Sequence, residues 1–137
     1  MEADLVARLD ADAGVGALVG RDASDVATIS WGLPVQGAPW PALVLTKISP
    51  GREYTHSGHD GLDGPRVQID VLAETDVAAD ALAKAVIACM EAPATVGGTK
   101  FHSAFLDAEA WVDEGELDGG KALFRISLEF TFYHEEI

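Results

Sequence analysis

The chain has 137 residues, 48% of them hydrophobic, and sets 23 Asp and Glu against nine Lys and Arg, a formal net charge of −14. That length is read as one domain, 1–137, large enough to bury a core without staples. So acidic a surface repels phosphate backbones and disfavours nucleic-acid binding as the main task.

The single cysteine, Cys89, excludes an intrachain disulfide and lies in an alanine-rich stretch with no basic neighbour in sequence. It is read as an inert, buried thiol folded in a reducing compartment. The acidic start, Met1-Glu2-Ala3-Asp4, lacks the basic and apolar regions of a signal peptide. No apolar run approaches the ~20 residues that span a bilayer, so no membrane partner is expected.

Residues 2–13 read as a helix, with Leu5, Leu9 and Ala13 at helical spacing, Asp4, Arg8 and Asp12 on other faces, and Gly14 and Gly16 as its stop. The Gly14–Gly20 stretch has the wrong glycine spacing for a dinucleotide loop, and no strand precedes it. Val26–Trp31 is a short strand, followed by a loop whose three prolines and two glycines forbid regular structure. Trp40 lies there between Pro39 and Pro41, as suited to a neighbouring subunit as to a core, whereas Trp31 and Trp111 are read as core.

Ala42–Ile48 is a strand by its branched, apolar content. Residues 49–65 form a long polar loop or the tip of an extended hairpin. Arg66–Ala73 alternates, Val67, Ile69 and Val71 facing one way, Arg66, Gln68 and Asp70 the other. Thr75 or Asp76 caps a helix over 76–92 that Pro93 ends. Shorter strands are expected at Phe101–Leu106 and Ala110–Val112. Then Phe124, Ile126, Leu128, Phe130 and Phe132 occupy every second position, which requires a long strand with one face on a core. The fold class is α+β: an antiparallel sheet of four or five strands, two helices on one face and a long hairpin loop.

Catalytic signals are weak. His56-Ser57-Gly58-His59-Asp60 holds metal-ligand residue types, but its glycines oppose the helix turn that would align the two histidines, and a third ligand must come from His102 or His134. No Gly-x-Ser-x-Gly or P-loop spacing occurs. No catalytic residue, metal or cofactor is assigned, and the chain is read as an assembly component. The acids between Lys100 and Lys121 fit a solvated face, or a surface that repels DNA or meets a basic partner.

Five features in order carry a resemblance: the short N-terminal helix with Leu5, Val6 and Leu9; Pro39-Trp40-Pro41 before Ala42-Leu43-Val44-Leu45; Arg66-Val67-Gln68-Ile69-Asp70-Val71-Leu72-Ala73-Glu74-Thr75; the Ala-Leu-Ala-Lys-Ala-Val helix at 81–86; and the alternating strand from Arg125 to Phe132. The whole chain resembles the tail completion, or tail terminator, proteins of long-tailed phages and gene transfer agents. The resemblance implies a virion protein assembled in the bacterial host cytoplasm. It implies a homo-oligomeric ring, commonly a hexamer, at the head-proximal end of the tail tube. The tube protein and the head–tail connector proteins are its partners, and DNA passes through the lumen without specific binding. Trp40, Arg52, Tyr54, His56 and His59 are the expected subunit-contact residues; Asp107, Glu109, Asp113 and Glu114 are the acids expected to face the channel. The competing readings are a neck connector of the same particle and a small metal-dependent hydrolase using His56, His59 and Asp60.

Overall fold

The computed structural model describes residues 2–33, 39–49, 52–55, 58–116 and 122–136, with the strands at 52–55, 58–63 and 112–116 described by their backbone alone. The elements run α1 (Glu2–Ala11), α2 (Ala13–Leu18), β1 (Ile29–Trp31), β2 (Ala42–Ser49), β3 (Arg52–Thr55), β4 (Gly58–Asp63), β5 (Arg66–Ala73), α3 (Asp76–Glu91), β6 (Ala94–Val96), β7 (Thr99–Phe101), β8 (Phe105–Glu116), β9 (Ala122–Thr131) and β10 (His134–Glu136).

The main sheet has the order β1-β2-β5-β9-β8. All its pairings are antiparallel except β1 with β2. A second sheet, β3-β4-β10-β7-β6, is built from short strands. The class is α+β, as the alternation predicts. Register explains how the main sheet sorts its two faces. Leu43, Val71, Ile126 and Trp111 form one cross-strand row, and Val44, Asp70, Ser127 and Ala110 form the next, pointing the opposite way.

The first row's face is covered by helices. Ile69, Val71, Ile126, Leu128 and Phe130 are fully buried there with Leu82, Val86 and Met90 of α3 and Leu5 and Leu9 of α1. Thr75 caps α3 as expected, its hydroxyl accepting from the Ala78 amide at 3.1 Å.

Two expectations about the first helix do not hold. Gly14 and Gly16 do not stop it; they lie inside α2. The Asp12 carboxylate accepts from the amides of Gly14 and Val15 at 3.1 and 3.0 Å and so starts a new helix one residue after the old one ends. Gly16 is there for a close approach, since a Cβ would stand 2.8 Å from the Asp10 carbonyl oxygen. Arg8 is not on an outer face but is 4% exposed. Its guanidinium donates to the carbonyls of Cys89 (2.6 Å) and Ala92 at the end of α3, and lies 5.2 Å from the centre of the Phe101 ring. A cation at a helix C-terminus satisfies acceptors that the helix cannot satisfy itself.

Candidate functional site

The face of the main sheet turned away from the helices holds the first candidate surface. Ala42, Val44, Leu72 and Leu123 form a small buried cluster there, and the half-buried Trp40 packs on it. Beside them opens a groove of about 530 Å³, rimmed by Leu33 and floored by β2, β5 and β9. Asp70 lies at its base, 4% exposed. Alternation puts Asp70 on the polar face, and its neighbours make its burial tolerable. Ser127 Oγ and Gln68 Nε2 donate to Oδ1 at 2.6 and 2.9 Å, and the Arg125 guanidinium donates to Oδ2 at 3.0 Å. The pair is lopsided, with 35% of the Arg125 side chain exposed against 6% for Asp70. The groove therefore shows a cation and apolar carbon to solvent and keeps its carboxylate underneath.

The second candidate surface is β8, the outer strand of the same sheet, whose far edge has no partner among the described residues. Natural edge strands are often guarded by Lys or Pro. Residues 105–116 contain neither, only acids. Trp111, expected in the core, is 55% exposed. It shares its row with buried Ile126, but α3 lies over β5 and β9 and reaches only the margin of β8, so the helical cover ends before Trp111. Phe105 (64% exposed) and Leu106 extend the exposed apolar character of this strand.

The expected channel acids divide between the strand's features. Asp107 occupies a register shift between Leu106 and Ala108, accepts from the Thr131 hydroxyl and lies 4.0 Å from Arg66 Nε. Glu109 is in register with Leu128, on the face Trp111 shares; the backbone of Asp113 pairs with that of Phe124, and Glu114 falls in a second register shift. Of the expected contact residues, Arg52 and Tyr54 lie on β3 and His59 on β4, with Tyr54 and His59 opposite one another. Within the 49–65 segment β3 and β4 thus pair as antiparallel strands, and β4 joins β10. His56 lies outside the described residues, and Trp40 is the member that borders the groove.

No group of three or more His, Cys, Asp or Glu is placed to hold a metal ion among the described residues. Cys89 is buried, and burial pushes its thiol up from the ordinary range, against a smaller opposing pull from Arg8, which keeps it a weak nucleophile. No helix among the described residues is long and apolar enough to cross a membrane.

Sequence reasoning missed Phe105, Leu106 and Trp111 as surface residues, because hydrophobicity alone does not reveal where helical cover stops. The acid run through the same strand, without a single base, was the available signal.

No curated protein matches the chain. A solved chain from a structure described as the virion of a native gene transfer agent particle shares its fold. The TM-score is 0.63 at 17% identity, covering 98% of this chain and 94% of that one. The family model described as tail completion protein gp17 matches residues 3–135. With that match running from α1 to β10, the chain belongs to the tail completion protein gp17 family.

Proposed function

We propose that this protein is a tail terminator. Six copies close into a ring on the head-proximal end of the tail tube, stop its growth and offer the surface on which the head docks. The observation that carries this reading is the family match over residues 3–135. The near full-length likeness to a chain of a gene transfer agent particle supports it. The protein is a structural component of a phage-like virion rather than an enzyme, and its neighbours are the tube protein and the head–tail connectors.

Three physical features suit that role. A ring of identical subunits needs two different patches on each copy. The β8 edge and the groove by Trp40 are two such patches at separate places on one sheet. The β3–β4 hairpin, carrying Arg52, Tyr54 and His59, is a further contact element for a neighbour. A subunit charge of −14 also keeps DNA from adhering as it slides through a lumen.

The test is deletion of the gene from the producing strain, followed by electron microscopy of the particles. Tails of irregular, excessive length without heads, corrected by adding back the purified protein, are expected. Head-bearing tails of normal length made without the protein overturn the proposal.

A further inference from the structure

The second sheet, β3-β4-β10-β7-β6, joins two strand pairs that lie far apart in the chain, and β10 is the strand between them. Resting on the reading of β3–β4 as a contact element of the ring, we infer that β10 is a strap. Its three residues hold the β3–β4 pair in the stance that meets the next copy.

The need for a strap follows from size. Strands β3 and β4 have four and six residues, and two paired strands of that length are marginal in water on their own. Among the described residues their strand partners are each other and β10, whose His134 and Glu135 pair with Asp63 and Leu62 of β4. On the other side the same two residues pair with Phe101 and Lys100 of β7. One short strand thus carries β3–β4 on one edge and is fastened to the body of the domain by the other.

The fastening is built from both faces of the strand. His134 is 5% exposed, and its ring lies 6.3 and 6.1 Å from the buried rings of Phe101 and Phe132. On the opposite face, Glu135 Oε1 lies 3.4 Å from His102 Nε2 and 3.9 Å from Lys100 Nζ. The residues just before β10 grip the base of the same strand pair. The Phe132 amide donates to the Pro65 carbonyl at 3.3 Å. The Tyr133 ring lies so close to Gly64 that a Cβ there would stand 2.6 Å from its Cε1. Residues 132–135 therefore hold both β4 and the Gly64-Pro65 connection that leads it into β5. The main sheet asks nothing of β10, since β5 is paired along its whole length with β9. Loosening β10 therefore frees β3–β4 and spares the main sheet.

Glu135→Pro tests the strap. It removes a backbone N–H and fixes φ in a strand paired on both sides, and it leaves the His134 ring in place. A chain ended at His134 is the second variant, and it decides the matter if the proline variant does not fold. Amide hydrogen exchange read by mass spectrometry follows each segment, and incorporation into particles follows assembly. Exchange at 52–63 is expected to quicken about tenfold or more, with 66–73 and 122–131 within about twofold of wild type. Incorporation is expected to fall with it. Unchanged exchange at 52–63 in a folded variant overturns the strap. Loosening that spreads through 66–73 and 122–131, or loss of fold in both variants, also overturns it, because β10 is then part of the core. Freed strands with normal incorporation overturn the role in assembly. Images of wild-type particles judge the ring separately: particles without a ring of this protein refute that reading, whereas the exchange result judges the strap by itself.

Discussion

Replacing Arg8 by Met is the sharpest test of how the helical layer is held together. The substitution keeps the apolar stem and removes the guanidinium. Lost are its hydrogen bonds to the carbonyls of Cys89 and Ala92. Bonds of this charged kind contribute about 1.5–3 kcal/mol each. A helix-terminus charge interaction of up to about 2 kcal/mol goes with them, as does the contact with Phe101, about 0.5–2 kcal/mol. Against these stands the cost of keeping a cation at 4% exposure, several kcal/mol for a buried ion, with Nη1 finding no acceptor among the described residues. Burial accordingly lowers the pKa of Arg8 from its ordinary value. The carbonyls left behind at the end of α3 also lose their donor, which costs about 1–3 kcal/mol when they stay dry. The balance is a net loss of about 2–3 kcal/mol, or a fall in Tm of roughly 6–10 °C for a chain of this size. Urea titration and calorimetry of Arg8→Met against wild type measure it. A variant within about 0.5 kcal/mol of wild type refutes the reasoning, because it means that desolvation cancels the cap.

Three further outcomes are expected. Leu128→Asp places a charge at a position 0% exposed in the centre of the sheet and unfolds the domain, with a cost above about 4 kcal/mol; wild-type-like melting contradicts the register of β9. Arg52→Glu in the β3–β4 hairpin leaves the melting temperature within about 2 °C and impairs incorporation into particles; normal incorporation removes the hairpin from the subunit contacts. The hydrogen bond from Lys47 holds the Glu2 carboxyl down at about 2, below its ordinary 4.5. A depressed acid contributes stability that is complete above its unfolded pKa and is lost as pH falls through the folded one, so the relevant window is pH 4.5 to 2. Because the pair is largely exposed, the loss is only about 0.2–1 kcal/mol. Lys47→Met flattens the acid limb of a stability-versus-pH curve in that window, and an unchanged slope counts against the pair.

What could be read in the sequence depended on whether the signal was local. Strands β5 and β9 and helix α3 announce themselves because each is long enough to repeat its period, and Thr75 marks the start of α3. Strands β6, β7 and β10 have three residues each, too few for any period, and exist because β10 finds β7 and β4 across the chain. Arg8 looks like a solvent-facing charge at its place in the helix, and only the carbonyls of residues 89 and 92 make it an interior one. The prolines around Trp40 suit a core and a subunit contact equally, and only the fold shows it half-buried on the Ala42, Val44, Leu72 and Leu123 cluster. Trp111 was not legible either, since its exposure depends on how far α3 extends sideways over the sheet.

The order of the main sheet has a consequence for biosynthesis. Strand β9 sits between β5 and β8, yet it follows every other strand of that sheet in the chain. While the polypeptide emerges from the ribosome, β5 must wait with its inner border vacant and β8 has nothing to pair with. The nascent chain thus passes through a stage in which two unmated inner borders coexist, and residues 122–131 close that gap, leaving only the outer borders at β1 and β8.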